Sequence, residues 1–209
     1  MRKIGITLRS SNSTKYIEYR DALAIDWYTY LKKLGFTHNW ILLPNLGAET
    51  VEYARLHNVE GLIFSGGESL GMNPRRDNSE ITLLNFAIEQ QLPILGICRG
   101  LQLIYSQLGG KLVEGNTSTK HVATRHLVQL SSDLPFAFGG ERSLEVNSFH
   151  SHLLPPSDAL VQVMAQDDEG FVEGIIDVHK KIVGIMWHPE RESNCSDFDR
   201  AIFNWLFNE

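Results

Sequence analysis

The chain has 209 residues, of which 43% are hydrophobic and 21% charged, with a formal net charge of -6. That mix fits a globular protein with one sizeable core, and the acidic balance argues against a nucleic-acid or membrane-surface protein, which would present a basic face. No run approaches the ~18 apolar residues of a membrane span, the apolar run behind the basic start "MRKIGITLRS" is too short for a signal peptide, and two unpaired-looking cysteines, Cys98 and Cys195, suit a reducing cytoplasm.

In chain order, "KIGITL" (3–8) reads as a first strand. "RDALAIDWYTYLKKLG" (20–35) predicts a helix, with Leu23, Trp27, Tyr30, Leu31 and Leu34 on one face and Gly35 as its stop. A strand at 40–44, a short helix at 48–58 and a strand "GLIFSGG" (61–67) running into a glycine turn follow. Residues 77–91 predict a helix capped by Asp77 or Ser79, after a polar loop, "ESLGMNPRRDNSE". "LPILGIC" (92–98) is apolar throughout, as a parallel strand covered on both faces would be, and 99–110 predict a helix ending at Gly-Gly.

Beyond residue 110 the segments are shorter and β-like: "HVATRHLVQL", "SLEVNSFH", "ALVQVMAQ", "GFVEGIIDVH" and "KIVGIMWHPE". "SDFDRAIFNWLFNE" closes the chain as an amphipathic helix capped by Ser196 or Asp197. With no repeat and no linker, residues 1–209 are expected to form one α/β domain: alternating strands and helices first, then a strand-rich half.

Three short stretches carry chemistry. Gly96-Ile97-Cys98-Arg99-Gly100 lies between a strand and a helix, the setting of a nucleophile elbow with cysteine in place of serine. Such a turn lifts the sulfur above the sheet edge and sets it at a helix N-terminus, where the dipole favours thiolate. The Arg99 N–H is then placed to donate to an oxyanion. An isolated cysteine is more often buried filler, and Cys195, which lacks this setting, reads that way. His188 ends a second apolar run, and Glu190 follows Pro189. Cysteine, histidine and carboxylate together supply nucleophile, base and orienter. Gly66 and Gly67 in "FSGGES" permit close backbone approach to a ligand, hence a second oxyanion donor.

"GICRGLQ", "FSGGES" and "MWHPE", in this order, resemble the class I glutamine amidotransferase-like superfamily. Arg99, "RRDNSE" (75–80) and "VNSFHSH" (146–152) resemble its γ-glutamyl hydrolase-like branch, which includes γ-glutamyl-γ-aminobutyrate hydrolase. The resemblance covers nearly the whole chain. It implies a flavodoxin-like, mostly parallel central sheet flanked by helices and a Cys98–His188–Glu190 triad. It further implies oxyanion N–H groups from Gly67 and Arg99, Gln102 against the glutamyl group and His150 at the pocket border. His152 stands where that branch often has Gln, and the chain is shorter than many of its members.

The activity implied is hydrolysis of a γ-glutamyl amide, with release of glutamate and an amine or amidate and no metal or organic cofactor. "IGITLRS" (4–10) followed by "YIEYRDALAIDWYTYLKKLG" (16–35) is similar to the start of short γ-glutamyl-CDP-amidate hydrolases associated with capsule modification. That similarity makes Arg9 and Arg76, with Arg20 and Arg75, candidates for the substrate side, since guanidinium suits diphosphate oxygens, and Gly66, whose turn lets the backbone approach a ligand, is a further substrate-side candidate. Two alternatives remain: a glutaminase subunit feeding ammonia to a separate synthetase, and a non-catalytic binding or regulatory module. The histidines of "HVATRH" and "HSH" (His121, His126, His150, His152) are metal-ligand types, but no carboxylate or cysteine lies near them in sequence to complete a site, so no metal is expected.

Overall fold

A computed structural model describes residues 2–13, 15–115, 121–139, 142–157 and 161–208. The start of the predicted segment at 159–166 and the last residue of the predicted C-terminal helix lie outside them. The N-terminal half holds strands β1 (Ile4–Thr7), β2 (Arg9–Asn12), β3 (Tyr19–Ala22), β4 (Trp40–Leu43), β5 (Gly61–Phe64) and β6 (Ile94–Ile97). Its helices are α1 (Asp26–Lys33), α2 (Thr50–Leu56), α3 (Pro74–Glu89) and α4 (Arg99–Gln107). The rest is strand-rich: β7 (Val113–Glu114), β8 (Val122–Leu130), β9 (Ser143–Phe149), β10 (His152–Leu153), β11 (Gln162–Gln166), β12 (Val172–Asp177) and β13 (Ile182–Ile185), closed by α5 (Asp197–Phe207).

Nine strands form one sheet in the order β4-β1-β5-β6-β13-β12-β11-β8-β9. The first five are parallel. In their own chain order they run 2-1-3-4-5, the flavodoxin-like arrangement. From β13 outward every pairing is antiparallel, so the strand-rich half extends the α/β sheet. β1, β5, β6 and β13 are buried along their whole length. This is the burial that their unbroken apolar runs demand when helices cover both faces. Phe36 packs edge to face on Phe203 and Phe207, which meet each other at a tilt.

Two helix starts differ from the sequence reading. The helix expected over 20–35 begins only at Asp26, because Tyr19–Ala22 pairs antiparallel with Arg9–Asn12 in a hairpin. "YRDA" is too short and too polar to show strand alternation. The helix expected from 77 begins at Pro74, capped by the Asn73 side chain, which accepts from the Arg75 and Arg76 N–H groups. Asn-Pro here is a cap followed by proline at the first helical position, so "RRD" is helix rather than loop. At α5 the expected cap is observed: the Ser196 hydroxyl accepts from the Asp199 N–H.

Candidate active site

Three parallel strands end at one place. β5 runs into Ser65-Gly66-Gly67, β6 into Cys98, and β13 into Trp187-His188. Register brings them level: β13 pairs with β6 from Ile182↔Ile94 to Ile185↔Ile97, and the Cys98 N–H donates to the Ile185 carbonyl at 2.8 Å.

Cys98 takes φ 51°, ψ -102° at the N-cap of α4. A non-glycine residue at positive φ stores strain, which persists only where the surroundings enforce it. The glycines of Gly-x-Cys-x-Gly provide that enforcement. A Cβ on Gly100 would stand 2.2 Å from the Phe64 carbonyl oxygen, and one on Gly96 2.7 Å from the Gly100 backbone. The elbow therefore folds tightly against β5. The Cys98 carbonyl accepts from the Gln102 N–H at 3.0 Å. The Arg99 N–H, in the first turn of α4, has no partner within the helix.

The His188 ring is held from two sides. Its Nδ1–H donates to Glu190 Oε1 at 2.7 Å, with both side chains buried. His188 and the Cys98 thiol act on each other across the site, each shifting the other's proton affinity. Burial pushes the thiol up, but the His188 hydrogen bond and charge, joined by the charge of His150, bring it below its usual value. Burial likewise pulls His188 down, yet the Cys98 and Glu190 hydrogen bonds raise it to about 9. Both shifts favour a thiolate–imidazolium pair. The backbone of His188 is clamped by Asn147, whose Nδ2 donates to the His188 carbonyl at 2.8 Å while its Oδ1 accepts the His188 N–H at 2.9 Å.

Across the site, Gly67 has φ 149°, and a Cβ there would meet Arg76 Nη1 at 2.3 Å. Arg76 Nη2 donates to the carbonyls of Ser65 at 2.9 Å and Gly66 at 3.2 Å. In a planar trans peptide the N–H points opposite to the C=O. Anchoring the Gly66 carbonyl on Arg76 therefore turns the Gly67 N–H away from Arg76.

Arg76 thus differs from its expected place on the substrate side. It is fully buried, paired with Glu68 at 2.9 Å and Glu80 at 3.1 Å, so its guanidinium faces the interior. The side chain of Arg99 is committed in the same way, to Glu80 and Asp77. Thr7 Oγ1 donates to Glu80 Oε1 at 2.6 Å and accepts the Ser65 N–H, tying this network to the ends of β1 and β5. Arg20 is exposed and paired with Glu18. Arg9 lies beside Gly66, Gly67, His188 and Glu190 at the rim, and Arg75 lines a cavity of about 550 Å³ with Tyr19, Asn45 and Met72. That cavity is lined by Ser10, next in the chain to Arg9, and by residues 72–75 at the start of α3. Gln102 is buried with its Nε2 3.7 Å from Met186 Sδ, and His150 is buried with its charge acting on Cys98.

Two groups had no clear sequence signal. Asn147 sits inside "VNSFH", but its hold on His188 spans 41 residues. Glu173 comes up from β12 to His126 and His150, supplying the carboxylate that those histidines lack in sequence.

A Peptidase C26 family model matches residues 4–190. A γ-glutamyl-CDP-amidate hydrolase of Campylobacter jejuni is 28% identical over 202 residues, covering 93% of this chain and 92% of that protein. A γ-glutamyl-γ-aminobutyrate hydrolase of Escherichia coli O157:H7 is 30% identical, covering 78% of this chain and 71% of that one. Among solved structures, a glutamine amidotransferase from Thermotoga maritima has a TM-score of 0.68 at 17% identity, covering 91% of this chain and 77% of that one.

Proposed function

The chain belongs to the Peptidase C26 family of glutamine amidotransferase-like amide hydrolases, and within it we propose a cysteine hydrolase that cleaves a γ-glutamyl amide through a thioester on Cys98. The observation that carries this reading is the buried Cys98–His188–Glu190 line at the strained strand–helix turn. The Cys98 thiolate attacks the γ-carbonyl, and the N–H groups of Gly67 and Arg99 receive the developing oxyanion. His188, already protonated, passes its proton to the departing nitrogen. It then takes a proton from the water that opens the thioester and releases glutamate. Gln102 and His150 line the glutamyl side.

For the leaving group we propose a nucleotide-linked amidate. The near-full-length similarity to a γ-glutamyl-CDP-amidate hydrolase supports it. So does the cavity beside the hairpin, where Arg75 offers charge and Tyr19 an aromatic face, with Arg9 next in the chain to its Ser10 and beside His188. The competing reading, a glutaminase subunit, draws on GMP synthases that are 28% identical over about two thirds of the chain. Glutamate release from γ-glutamyl-CDP-amidate, γ-glutamyl-γ-aminobutyrate and free glutamine separates the two. We expect the nucleotide-linked substrate to be fastest. Cys98→Ala should fall below about 10⁻⁴ of wild-type turnover, as removal of a covalent nucleophile does. Near-wild-type hydrolysis by Cys98→Ala would sink the thioester. Glutamine hydrolysis that appears only when a synthetase is added would favour the subunit reading.

A further inference from the structure

Next to the thiol, and sharing only His150 with the residues of the proposed reaction, three imidazoles and two carboxylates meet in the interior. His121 precedes β8, His150 follows β9, Asp167 follows β11, and Glu173 lies in β12. His121, His150, Asp167 and Glu173 are each more than nine-tenths buried. The rings of His121 and His150 are 5.0 Å apart, and those of His121 and His126 5.1 Å. One donor atom each from His121, His150 and Glu173 fits within a 4.8 Å span.

The polar atoms here are not satisfied by one another. His150 Nε2, His121 Nδ1, Asp167 Oδ2 and Glu173 Oε2 have no hydrogen-bond partner. His150 Nε2 stands 3.4 Å from Glu173 Oε1, and His126 Nε2 stands 3.5 Å from Glu173 Oε2. A charge-assisted N–H···O bond would draw these atoms to roughly 2.7–2.9 Å. A separation of about 3.4 Å is instead the edge of a tetrahedron whose donors lie roughly 2.0–2.1 Å from a central ion. His150 is also oriented as a ligand. Its Nδ1–H is used by the His152 carbonyl at 2.9 Å, which leaves the Nε2 lone pair directed at the carboxylate, the backing that metal-bound histidines commonly have.

The frame around these groups is rigid. The His121 carbonyl accepts from the His150 N–H and from the Ser148 hydroxyl, and the Glu173 carbonyl accepts from the Met186 N–H. No large rearrangement is needed to close a site.

We propose that His121, His150 and Glu173 form a binding site for a borderline divalent cation of the zinc type, with His126 beside it and Asp167 Oδ2 3.9 Å from His121 Nε2. Two imidazoles and one carboxylate suit zinc over magnesium or calcium, which prefer all-oxygen shells. The site is independent of which amide the enzyme cleaves.

The test is zinc titration of chelator-stripped full-length protein, read by competition with a chromophoric chelator. Cys98→Ser serves as the background, so that the thiol–imidazole pair of the active site takes no part. We expect one equivalent per chain, a rise in melting temperature with zinc, and affinity reduced about a hundredfold or more in His121→Gln and in Glu173→Gln. X-ray absorption of the zinc-loaded wild-type chain, which needs no variant to fold, should show a nitrogen and oxygen shell. Binding well below one equivalent, binding that survives both Gln substitutions, or a sulfur shell in the wild-type spectrum would each overturn the proposal.

Discussion

The His188 ring points its Cε1 edge at the backbone of Gly66: a Cβ built on Gly66 would fall 2.6 Å from Cε1 of the imidazole. The base and the oxyanion turn therefore share one contact, and residue 66 sets how close the ring comes to the sulfur. Gly66→Ala should leave the fold intact and lower kcat by about a hundredfold through displacement of the ring, as ångström-scale misplacement does. Circular dichroism with steady-state kinetics checks this, and an unchanged kcat would show that the ring has room to spare.

The thiol–imidazole pair predicts a reactivity profile. With Cys98 lowered and His188 raised to about 9, the thiolate should persist well below the pH at which an ordinary thiol titrates. Iodoacetamide should alkylate Cys98 at pH 6 at least about tenfold faster in wild type than in His188→Ala, where burial without a partner pushes the thiol up. The sign for stability also follows. A histidine raised above its unfolded value stabilises the fold below about pH 6.5, and that contribution is lost as pH rises through about 9. Equal alkylation rates in the two proteins would exclude the pair.

The buried network under the oxyanion turn predicts a large energetic effect. Arg76→Met leaves Glu80 and Glu68 without their shared guanidinium partner. Breaking a buried pair from one side costs about 3–5 kcal/mol. It also frees the Gly66 carbonyl that aligns the Gly67 N–H. Urea denaturation should show Arg76→Met/Glu80→Gln less destabilised than the sum of the two single changes. Strict additivity would show that the two groups are not coupled.

Asp199, under Trp187, provides a pH-dependent test of stability. It accepts from Trp187 Nε1 at 3.0 Å and from the Ser196 hydroxyl at 2.6 Å, and burial raises it to about 6. A carboxyl whose folded value lies above its unfolded value binds its proton more tightly when folded. Stability then falls as pH rises from about 4 to 6. Asp199→Asn removes that dependence. The variant should gain on wild type by about 2–3 kcal/mol between pH 4 and pH 7, as read from melts at both pH values, and parallel curves would contradict the assignment.

The sequence made some of this legible and hid the rest for physical reasons. Gly96, Cys98 and Gly100 were readable because the elbow is local: strand, turn and helix adjoin in the chain. The unbroken apolar runs of β5, β6 and β13 announced two-sided burial. The β2–β3 hairpin was hidden because Tyr19–Ala22 is exposed, and an exposed strand imposes no alternation. The start of α3 was encoded in Asn73-Pro74 but resembled a polar loop. Arg76 looked like a surface cation because its charge partners are supplied by folding: Glu80 by the next helical turn and Glu68 by a preceding loop. Glu173 and Asn147 act on residues far away in sequence, where no spacing rule reaches.

β13 is the last strand in the chain, yet it lies between β6 and β12 in the middle of the sheet. During synthesis, the nucleophile emerges ninety residues before the base, and the oxyanion turn earlier still. Until β13 inserts, β6 and β12 present two open edges, each able to pair with a stray strand. The same insertion that seals these edges carries His188 to Cys98. An incompletely folded chain therefore carries a thiol without its base, and the cysteine acquires its reactivity only when the sheet is complete.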